Sequence, residues 1–501
     1  MSDAQSTSWI CTVCGYIHYG PEPPDCCPVC GSTKDYFELH AQVSPSQEPA
    51  SPTRWRCLNC GYVHFGASPP ARCPVCGAAA DRFEPLAIKA SAGTQPGLRG
   101  KVVVVGAGIA GVSAAEAVRQ ASSEAEIILL SKEPCLPYYR LNLTRYLAGE
   151  VGPDQLDLHP ASWYEAHGIQ STHDVEVRAI DLEDRTLTLR DGVEHSYDKL
   201  ILSAGAHPFV PPFPGANREN VTVLRTRAHA DAILATCQPG LRCVCIGGGL
   251  LGLETAGALA QRGVKVTILE GHGWLLPRQL NQKAGELLEG YVTSLGISIR
   301  RQARAQELLG DERVRGALLQ DDSTIPADLV VIATGVRSNS YLARIAGLDV
   351  NRGVIVDNTL RTSHPDVFAA GDVAEHRGVS YGTWAPSQFQ GTIAGMNAAG
   401  LRADFAGIPR SNMLKVLGVD LFSIGQIHPG DASYEVIEEQ IDGQYFYFVF
   451  RDSYMVSAIL LGDTTLSAAV KQMVEKRHDC SGILQRRPRV AQILEFVAEG
   501  Q

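Results

Sequence analysis

Residues 101–118 read KVVVVGAGIAGVSAAEAV, and this stretch decides the fold of the larger part of the chain. Four consecutive valines predict a buried strand, and the alanine-rich run after the glycines predicts a helix. Between them, Gly106, Gly108 and Gly111 follow the spacing G-x-G-x-x-G. Glycines at this spacing permit a tight turn and let the backbone approach a pyrophosphate, which binds at the N-terminus of the helix. The stretch therefore predicts a βαβ fold that binds a dinucleotide.

The next strand of this fold has an acidic end. It reads EIILLSKE, and Glu133 is the acidic candidate for the ribose hydroxyls, although the strand itself ends near Ser131. A matching turn further along, SAGA, contains Ala204 and Gly205 at the end of another apolar strand. These features complete one Rossmann-like fold.

A second copy of the pattern begins at Cys243 and reads CVCIGGGLLGLETAGALAQRGVKVTILEG. Its glycines are Gly247, Gly249 and Gly252, and Glu270 ends the strand that follows. A carboxylate at that position accepts hydrogen bonds from both ribose hydroxyls and repels a 2′-phosphate. The pattern therefore predicts a second Rossmann-like fold, and it favours NADH over NADPH.

Two shorter segments complete this arrangement. LVVIATGVRSNS, residues 329–340, contains Thr334 and Gly335 in a turn of the kind that packs beside a nucleotide. HPDVFAAGDVAE, residues 364–375, places Asp372 after a glycine at a strand end, where a carboxylate can meet the ribityl chain of a flavin. The sequence thus indicates two bound dinucleotides, one of them a flavin.

The N-terminal part of the chain holds nine of the 14 cysteines within an ungapped repeat. Each copy reads CxxC, twelve residues and then CPxCG, so two tight turns present four thiolates to one ion. The eight cysteines at these positions are Cys11, Cys14, Cys27 and Cys30 in the first copy and Cys57, Cys60, Cys73 and Cys76 in the second. A unit of about 30 residues is too small to be held by its core alone. The pattern predicts an iron or zinc site in each copy.

The aromatic residues around these cysteines favour iron, because they can shield a one-electron centre from water. WICTVCGYIHYG at 9–20 and WRCLNCGYVHFG at 55–66 resemble rubredoxin-like modules, in the short form found at the end of rubrerythrins. The resemblance implies one Fe(Cys)4 centre in each module, with zinc as the alternative. Cys26 lies beside Cys27 and has Arg72 as its counterpart in the second copy, so we interpret it as a spare surface thiol.

Four segments carry a resemblance in the rest of the chain. They are KEPCLPYYRLNLTRYLAG at 132–149, GGGLLGLE at 247–254, GD at 371–372 and YGTWAPSQFQG at 381–391. They resemble the flavoprotein reductases that have two dinucleotide-binding folds, in the branch of NADH:rubredoxin reductases, ferredoxin reductases and the flavin domain of nitrite reductase. The resemblance implies that FAD occupies the first fold and NADH the second, with the nicotinamide stacked on the flavin.

The same resemblance assigns roles to single residues. It implies that Arg140 and Val177 contact FAD and that Trp384 lies near the flavin. Arg145 stands where many members of the family have a lysine close to flavin N5, and Glu254 matches a position near the nicotinamide. These two residues are therefore the candidate catalytic residues.

We therefore expect an α/β chain with two Rossmann-like FAD- and NAD(P)-binding domains, a small α+β C-terminal domain and two small rubredoxin-like metal-binding modules. The expected boundaries are 1–42 and 54–88 for the modules, 100–221 with 345–404 for the FAD-binding domain, 222–344 for the NAD-binding domain and 405–501 for the C-terminal domain. In the last of these, a basic cluster is a hypothetical dock for the negatively charged modules, and it consists of Lys476, Arg477, Arg486, Arg487 and Arg489.

Composition limits the partners of the protein. The formal net charge is −10, which argues against nucleic acid as the main partner. No uncharged apolar run reaches the length of about 18 residues that a membrane span needs. The N-terminal residues do not read as a secretory signal, so a cytoplasmic location is expected. The sequence leaves the oligomeric state open.

The combination of sites predicts the chemistry. NADH gives two electrons as a hydride and an Fe(Cys)4 centre accepts one, while a flavin can do both. We interpret the protein as a NADH:rubredoxin reductase-type flavoprotein, an electron relay whose partner is a redox protein or enzyme that takes rubredoxin electrons. Two alternatives stay open: a NADH-dependent disulfide reductase or NADH oxidase that uses Cys135, and a flavin redox sensor whose zinc-ribbon head binds a protein.

Overall fold

The structure is a computed structural model that describes residues 8–11, 17–19, 22–25, 34, 37–39, 54–57, 63–65, 68–69, 71, 79–85, 99–407, 411–425 and 427–499. Its architecture is α/β, with two parallel sheets flanked by helices, and this confirms the expected fold class. Within these residues, no helix is both long enough and apolar enough to cross a membrane.

Two small antiparallel sheets form the N-terminal part. Their strands are β1 (Ser8–Cys11), β2 (Ile17–Tyr19), β3 (Phe37–Leu39), β4 (Arg54–Cys57), β5 (Val63–Phe65) and β6 (Phe83–Pro85). The strand orders are β2-β1-β3 and β5-β4-β6, so the two copies of the repeat fold alike. The register is also the same, because Cys11 pairs with Phe37 and Cys57 pairs with Phe83.

The first Rossmann-like fold is assembled from two separate parts of the chain. The first part comprises β7 (Lys101–Val105), α1 (Ile109–Ala121), β8 (Glu126–Leu130), α2 (Leu143–Ala148), α3 (Ala161–Ala166), β9 (Ile169–Thr172), β10 (Val177–Asp181), β11 (Thr186–Leu189), β12 (Glu194–Ser196), β13 (Lys199–Leu202) and β14 (Ala206–Pro208).

The second Rossmann-like fold is inserted after these elements. It comprises β15 (Val221–Val223), α4 (Arg227–Thr236), β16 (Arg242–Ile246), α5 (Leu250–Gln261), β17 (Lys265–Leu269), α6 (Gln282–Ser294), β18 (Ser298–Arg300), β19 (Ala305–Gly310), β20 (Val314–Leu319), β21 (Thr324–Pro326), β22 (Leu329–Ile332) and β23 (Val336–Ser338). Its five-stranded sheet is parallel, with the order β15-β22-β16-β17-β18.

The chain then returns to the first fold. The returning elements are α7 (Tyr341–Ile345), β24 (Val354–Val356), β25 (Val367–Ala369), β26 (Ala374–His376) and α8 (Trp384–Ala398). The parallel sheet of the first fold has the order β25-β13-β7-β8-β9. Strands β14 and β23 pair antiparallel and join the two folds beside their strand ends.

Close packing of α1 on α8 fixes the N-terminal end of α1. A Cβ atom on Gly391 would overlap the carbonyl oxygen of Ala110, and one on Gly395 would overlap the carbonyl oxygen of Ala114. Two glycines spaced by one helical turn therefore let the two backbones meet. Beneath them, the four valines of β7 are buried as the sequence predicts.

The C-terminal domain is a five-stranded antiparallel sheet covered by helices. Its elements are β27 (Ser411–Val416), β28 (Val419–Gly425), β29 (Tyr434–Ile441), β30 (Gln444–Arg451), β31 (Tyr454–Leu461), α9 (Ser467–Glu475), α10 (Ser481–Leu484) and α11 (Val490–Glu499). Strand β30, which pairs with β31 and β29, is buried on both faces. Tyr445 and Tyr447 pack against the second Rossmann-like fold, whereas Phe446 and Phe448 pack against α9 and α11. The sheet is thus sandwiched between the body and its own helices.

Candidate functional site

A large cleft of about 3070 Å³ runs between the two Rossmann-like folds, along the carboxyl ends of their strands. This volume is several times that of a pocket for one small ligand, which is roughly 300–1,000 Å³. In doubly wound folds, nucleotides bind at the carboxyl ends of the strands. The cleft therefore has both the size and the position for two dinucleotides.

The two glycine-rich turns lie at opposite sides of this cleft and have the same geometry. Gly106 has a φ of +106° and Gly247 has a φ of +114°, which only glycine adopts without strain. Gly108 and Gly249 line the cleft, and a Cβ on either would meet no atom within 4 Å. The backbone is therefore bare at the N-termini of α1 and α5, where a pyrophosphate can approach.

The third glycine of each pattern has a different role. A Cβ on Gly111 would overlap the carbonyl oxygen of Gly106, and one on Gly252 would overlap the carbonyl oxygen of Gly247. Because these two glycines have no side chain, each helix can pack directly against its turn. Neither glycine lines the cleft. This division of roles matches the one expected from the spacing.

In the first fold, two residues that are predicted to bind the cofactor, Glu133 and Arg140, form an ion pair with each other. The Arg140 guanidinium lies 2.6 Å from Glu133 Oε1, and the Tyr138 hydroxyl donates to Glu133 Oε2 at 2.8 Å. The two charged side chains line the cleft and are 26% and 24% exposed. They act as one partly buried unit at the end of β8, and a bound nucleotide would meet both.

The carboxylate predicted to meet a ribityl chain is held by a residue that sequence reasoning missed. Asp372 Oδ2 lies 3.0 Å from the Arg225 guanidinium, and the Ser387 hydroxyl donates to Asp372 Oδ1 at 3.3 Å. Arg225 follows β15 in the second fold, whereas Asp372 belongs to the first. No local motif marks Arg225, because only the assembly of the two folds brings it to the cleft.

Asn142 supplies a direct test of whether a flavin fits the first fold. Its side chain is fully buried and lines the cleft, and neither its amide nitrogen nor its carbonyl oxygen has a hydrogen-bond partner. An unpaired buried amide costs about 1–3 kcal/mol. The polar edge of a flavin ring has donors and acceptors that could satisfy it, so the residues present fit FAD.

The turns named from the sequence also lie at the cleft. Ala204, Gly205, Thr334 and Gly335 all line it. Val177 does not: it begins β10 and packs against the hydrophobic core of the first fold. Its contact with FAD stays a prediction.

The two candidate catalytic residues line the cleft but do not contact each other. Arg145 pairs with Glu150 at 2.8 Å, and the Thr144 hydroxyl donates to Glu254 Oε2 at 3.0 Å. Burial raises the pKa of Glu254 to about 7, and the hydrogen bond from Thr144 only partly offsets this shift. Glu254 therefore titrates near neutral pH, while its catalytic role and that of Arg145 stay predictions.

The pKa of Glu254 predicts a pH-dependent stability. The unfolded carboxyl ionises near its ordinary pKa of 4.5, whereas the folded one keeps its proton until about pH 7. Ionisation therefore penalises the folded state increasingly between these values, and the penalty is complete above about pH 7. We expect Glu254→Gln to melt at a higher temperature than the unmodified chain at about pH 8, and the two to converge below about pH 5.

Differential scanning fluorimetry across this pH range measures the effect. Glu495 is exposed on α11, so Glu495→Gln is the control and should leave the melting temperature unchanged at every pH. A difference for Glu254→Gln that does not vary with pH would contradict the shifted ionisation.

An aromatic pair covers part of the cleft. The rings of Tyr139 and Trp384 are stacked, with their centroids 5.7 Å apart and an angle of 21° between the ring planes. Trp384 is the first residue of α8, and its side chain lines the cleft as the resemblance implies. The backbone of β5, in the second small N-terminal sheet, approaches α8 to within 8 Å between Cα atoms.

In the second fold, the residue predicted to bind the ribose is Glu270, and it is hydrogen-bonded to the glycine-rich turn of the same fold. Glu270 is 5% exposed, and its Oε2 accepts a hydrogen bond from the Gly248 backbone at 2.9 Å. Its Oε1 accepts a second from the His272 backbone at 2.7 Å. Both carboxylate oxygens therefore have partners within the protein, in addition to their place at the cleft.

The environment of Cys135 does not favour a reactive thiol. Its side chain lines the cleft and is free. Burial and the nearby Glu133 carboxylate raise the pKa of the Cys135 thiol, whereas a catalytic cysteine requires a lowered one. Cys243 and Cys245 are buried in β16, as expected for small core residues.

The predicted metal ligands are only partly within the described residues. Cys11 ends β1 and Cys57 ends β4, at equivalent places in the two sheets. The other six candidates, Cys14, Cys27, Cys30, Cys60, Cys73 and Cys76, lie outside the described residues, as does Cys26. Across the part that is described, no group of three or more metal-ligating side chains is present.

The basic cluster of the C-terminal domain lies away from the cleft. Its residues follow α9 and precede α11, and these helices cover the face of the sheet opposite the second Rossmann-like fold. None of the five cluster residues lines the cleft. The cluster is therefore separate from the cleft, and its role as a dock for the modules stays a prediction.

Three protein families match parts of the chain. Residues 100–391 match the family described as pyridine nucleotide-disulphide oxidoreductase, which is more than half of the chain. Residues 411–478 match the rubredoxin NAD+ reductase C-terminal domain. Residues 9–38 and 55–84 each match the rubredoxin-like domain of rubrerythrin.

Curated relatives include reductases of two kinds. A nitrite reductase (NAD(P)H) of Bacillus subtilis is 35% identical over 385 residues, which are 76% of this chain and 48% of that protein. An NADH-rubredoxin oxidoreductase of Clostridium acetobutylicum is 29% identical over 375 residues, which are 75% of this chain and 94% of that protein. The chain spans about half the length of the nitrite and nitrate reductase relatives from Bacillus subtilis.

Solved structures of similar proteins share the fold of the body. The NADH:rubredoxin oxidoreductase from Clostridium acetobutylicum has a TM-score of 0.67 at 26% identity, covering 79% of this chain and 99% of that one. The covalent putidaredoxin reductase–putidaredoxin complex has a TM-score of 0.69 at 26% identity, covering 75% and 93%.

Proposed function

Because the chain belongs to the pyridine nucleotide-disulphide oxidoreductase family, we propose that it passes electrons from NADH through FAD to its own rubredoxin-type centres. The observation that carries the proposal is the single cleft with a bare glycine turn on each side. An external redox protein or enzyme then takes the electrons from the centres.

The first fold would hold FAD. Gly106 and Gly108 leave the backbone amides at the start of α1 open to the pyrophosphate, and the Glu133–Arg140 pair meets the nucleotide end. Asp372, which is paired with Arg225, would accept hydrogen bonds from the ribityl chain. Bound FAD supplies the one capacity that the side chains lack, which is to take two electrons together and release them singly.

The second fold would hold NADH opposite the flavin. Gly247 and Gly249 open the start of α5 to the second pyrophosphate, and Glu254 lies one turn further along the same helix. Being protonated below about pH 7, Glu254 adds no full negative charge beside the nicotinamide site there. Hydride transfer then needs these residues only to bind and orient the two rings, since it requires no general acid or base.

The modules would be the electron exit. Four thiolates from two CxxC-type turns suit iron, which accepts one electron at a time. The nearness of β5 to α8 supports this role, since α8 begins at Trp384 in the cleft. This nearness supports a path for electrons from the fold that would hold FAD to the second module.

An anaerobic titration with NADH tests the relay. The purified holoenzyme should be red, with ferric–thiolate absorption that bleaches together with the flavin bands as NADH is added. Cys135→Ser should bleach equally, because the thiol is not in the electron path. Colourless modules with stoichiometric zinc would contradict the proposal and favour the redox sensor, while a loss of bleaching in Cys135→Ser would favour the disulfide reductase.

A further inference from the structure

The cleft extends past Glu270 to a loop that the glycine pattern does not include. This loop precedes β19 and contains Arg304. The Ala303 backbone donates a hydrogen bond to the Glu270 carbonyl at 2.9 Å, and the Gln320 backbone donates to the Arg304 carbonyl at 3.0 Å. The loop is therefore pinned to the end of β17, the strand that Glu270 follows.

The Arg304 side chain lies beside Gly271, the residue directly after Glu270. A Cβ placed on Gly271 would lie 3.4 Å from Arg304 Nε and 3.6 Å from Arg304 Cγ. Both Gly271 and Arg304 line the cleft. Because Gly271 has no side chain, Arg304 can lie against the backbone just after β17, which is where this fold is expected to place the adenosine ribose of a dinucleotide.

Arg304 is also free to bind an anion. It is exposed, and it forms no ion pair with any residue that the structure describes. Its neighbour Arg301 behaves differently, since it pairs with Glu286 at 3.7 Å and with Glu289 at 3.4 Å on α6. A guanidinium without a carboxylate partner suits a phosphate, which it binds through two parallel N–H groups.

The carboxylate expected to exclude such a phosphate is already engaged. Glu270 is nearly buried, and both of its oxygens accept hydrogen bonds from backbone amides of Gly248 and His272. His272 Nδ1 lies a further 2.7 Å from Glu270 Oε1. These hydrogen bonds hold the Glu270 carboxylate on its own turn, whereas the exposed Arg304 guanidinium lines the cleft and offers a positive charge to a 2′-phosphate.

We propose that Arg304 binds the 2′-phosphate of NADPH, so that the chain takes NADPH as well as NADH. The inference rests on the proposed function, because it concerns the same nucleotide site. It changes the expectation from the sequence, which favoured NADH over NADPH on the strength of Glu270. Arg304 lies on a later loop, so a search for an arginine just after the acidic residue does not find it.

Calorimetric titration of the FAD-loaded chain with NADP+ and NAD+ tests the proposal. We expect the unmodified chain to bind NADP+ with a Kd within about tenfold of that for NAD+. Arg304→Gln should raise the Kd for NADP+ by about tenfold or more, since charged hydrogen bonds to phosphate are lost, while the Kd for NAD+ changes by less than about twofold. Arg304→Lys should keep part of the affinity for NADP+.

Arg301→Gln is the matched control, because it removes a nearby arginine that already has carboxylate partners. It should leave both dissociation constants unchanged. Equal weakening of NAD+ and NADP+ in Arg304→Gln, or no measurable NADP+ binding by the unmodified chain, would overturn the inference. Failure of the unmodified chain to bind either nucleotide would instead contradict the proposed function.

Discussion

A Gly249→Glu variant is expected to lose NADH-driven reduction almost completely while keeping its fold and its FAD. The backbone at Gly249 is extended, with φ −78° and ψ 179°, so a glutamate fits without strain. Its Cβ meets no protein atom within 4 Å. The new carboxylate would occupy the N-terminus of α5 in place of the pyrophosphate, because that end of the helix favours a negative charge.

We expect kcat/KM for NADH to fall by about 100-fold or more, which is about 2.8 kcal/mol of lost binding. Stopped-flow reduction of the flavin by NADH measures this loss. Dithionite bypasses the nucleotide site, so it should reduce the flavin of the variant as fast as that of the unmodified chain. Gly290→Glu, at an exposed and open position on α6, should change neither rate.

The equivalent change in the other fold distinguishes the two nucleotides. Gly108 is also extended and open to the cleft. Gly108→Glu should therefore yield a folded protein without FAD, while Gly249→Glu retains it. FAD content after purification reports the difference. If Gly249→Glu loses FAD and Gly108→Glu keeps it, the assignment of the two folds is reversed.

The second large effect is expected at the cysteine repeat. Cys57→Ser should remove one of the two metal ions per chain and about half of the ferric–thiolate absorption, because a four-thiolate site loses its fit with one ligand gone. The second module should also become sensitive to protease, since a unit of about 30 residues depends on its metal to fold. Metal analysis by mass spectrometry and limited proteolysis measure these changes.

Cys11→Ser should have the same effect on the first module, which makes the two variants an internal pair. Cys26→Ser is the control, because Arg72 occupies the equivalent position in the second copy of the repeat. It should keep both metal ions and full absorption. Loss of a metal ion in Cys26→Ser would show that Cys26, and not Cys27, completes the first site.

Several features of the cleft could be predicted because they depend on neighbouring residues alone. The positive φ of Gly106 and Gly247 is a requirement of one tight turn, and the sequence shows it directly. The same holds for the buried valines of β7, which alternate between the two covered faces of a parallel sheet.

Other features could not be predicted because their partners are distant in the chain. Asp372 is held by Arg225 from the other fold, and Asn142 lines the cleft with its side-chain amide buried and unpaired. Strand β30 reads as an aromatic strand, but nothing local shows that both of its faces are covered.

The sequence by itself determined the architecture, the two nucleotide turns and the repeated cysteine module, since each follows from the spacing of residues within one short segment. Only the tertiary structure decided how the charged residues of the cleft are used. Glu270 accepts hydrogen bonds from backbone amides, while Arg304 has no ion-pair partner among the residues that the structure describes, because the arrangement of separate loops sets which charges meet. If Arg304 binds a 2′-phosphate as we propose, nucleotide specificity depends on the assembled cleft, whereas the glycine turns alone predict that nucleotides bind.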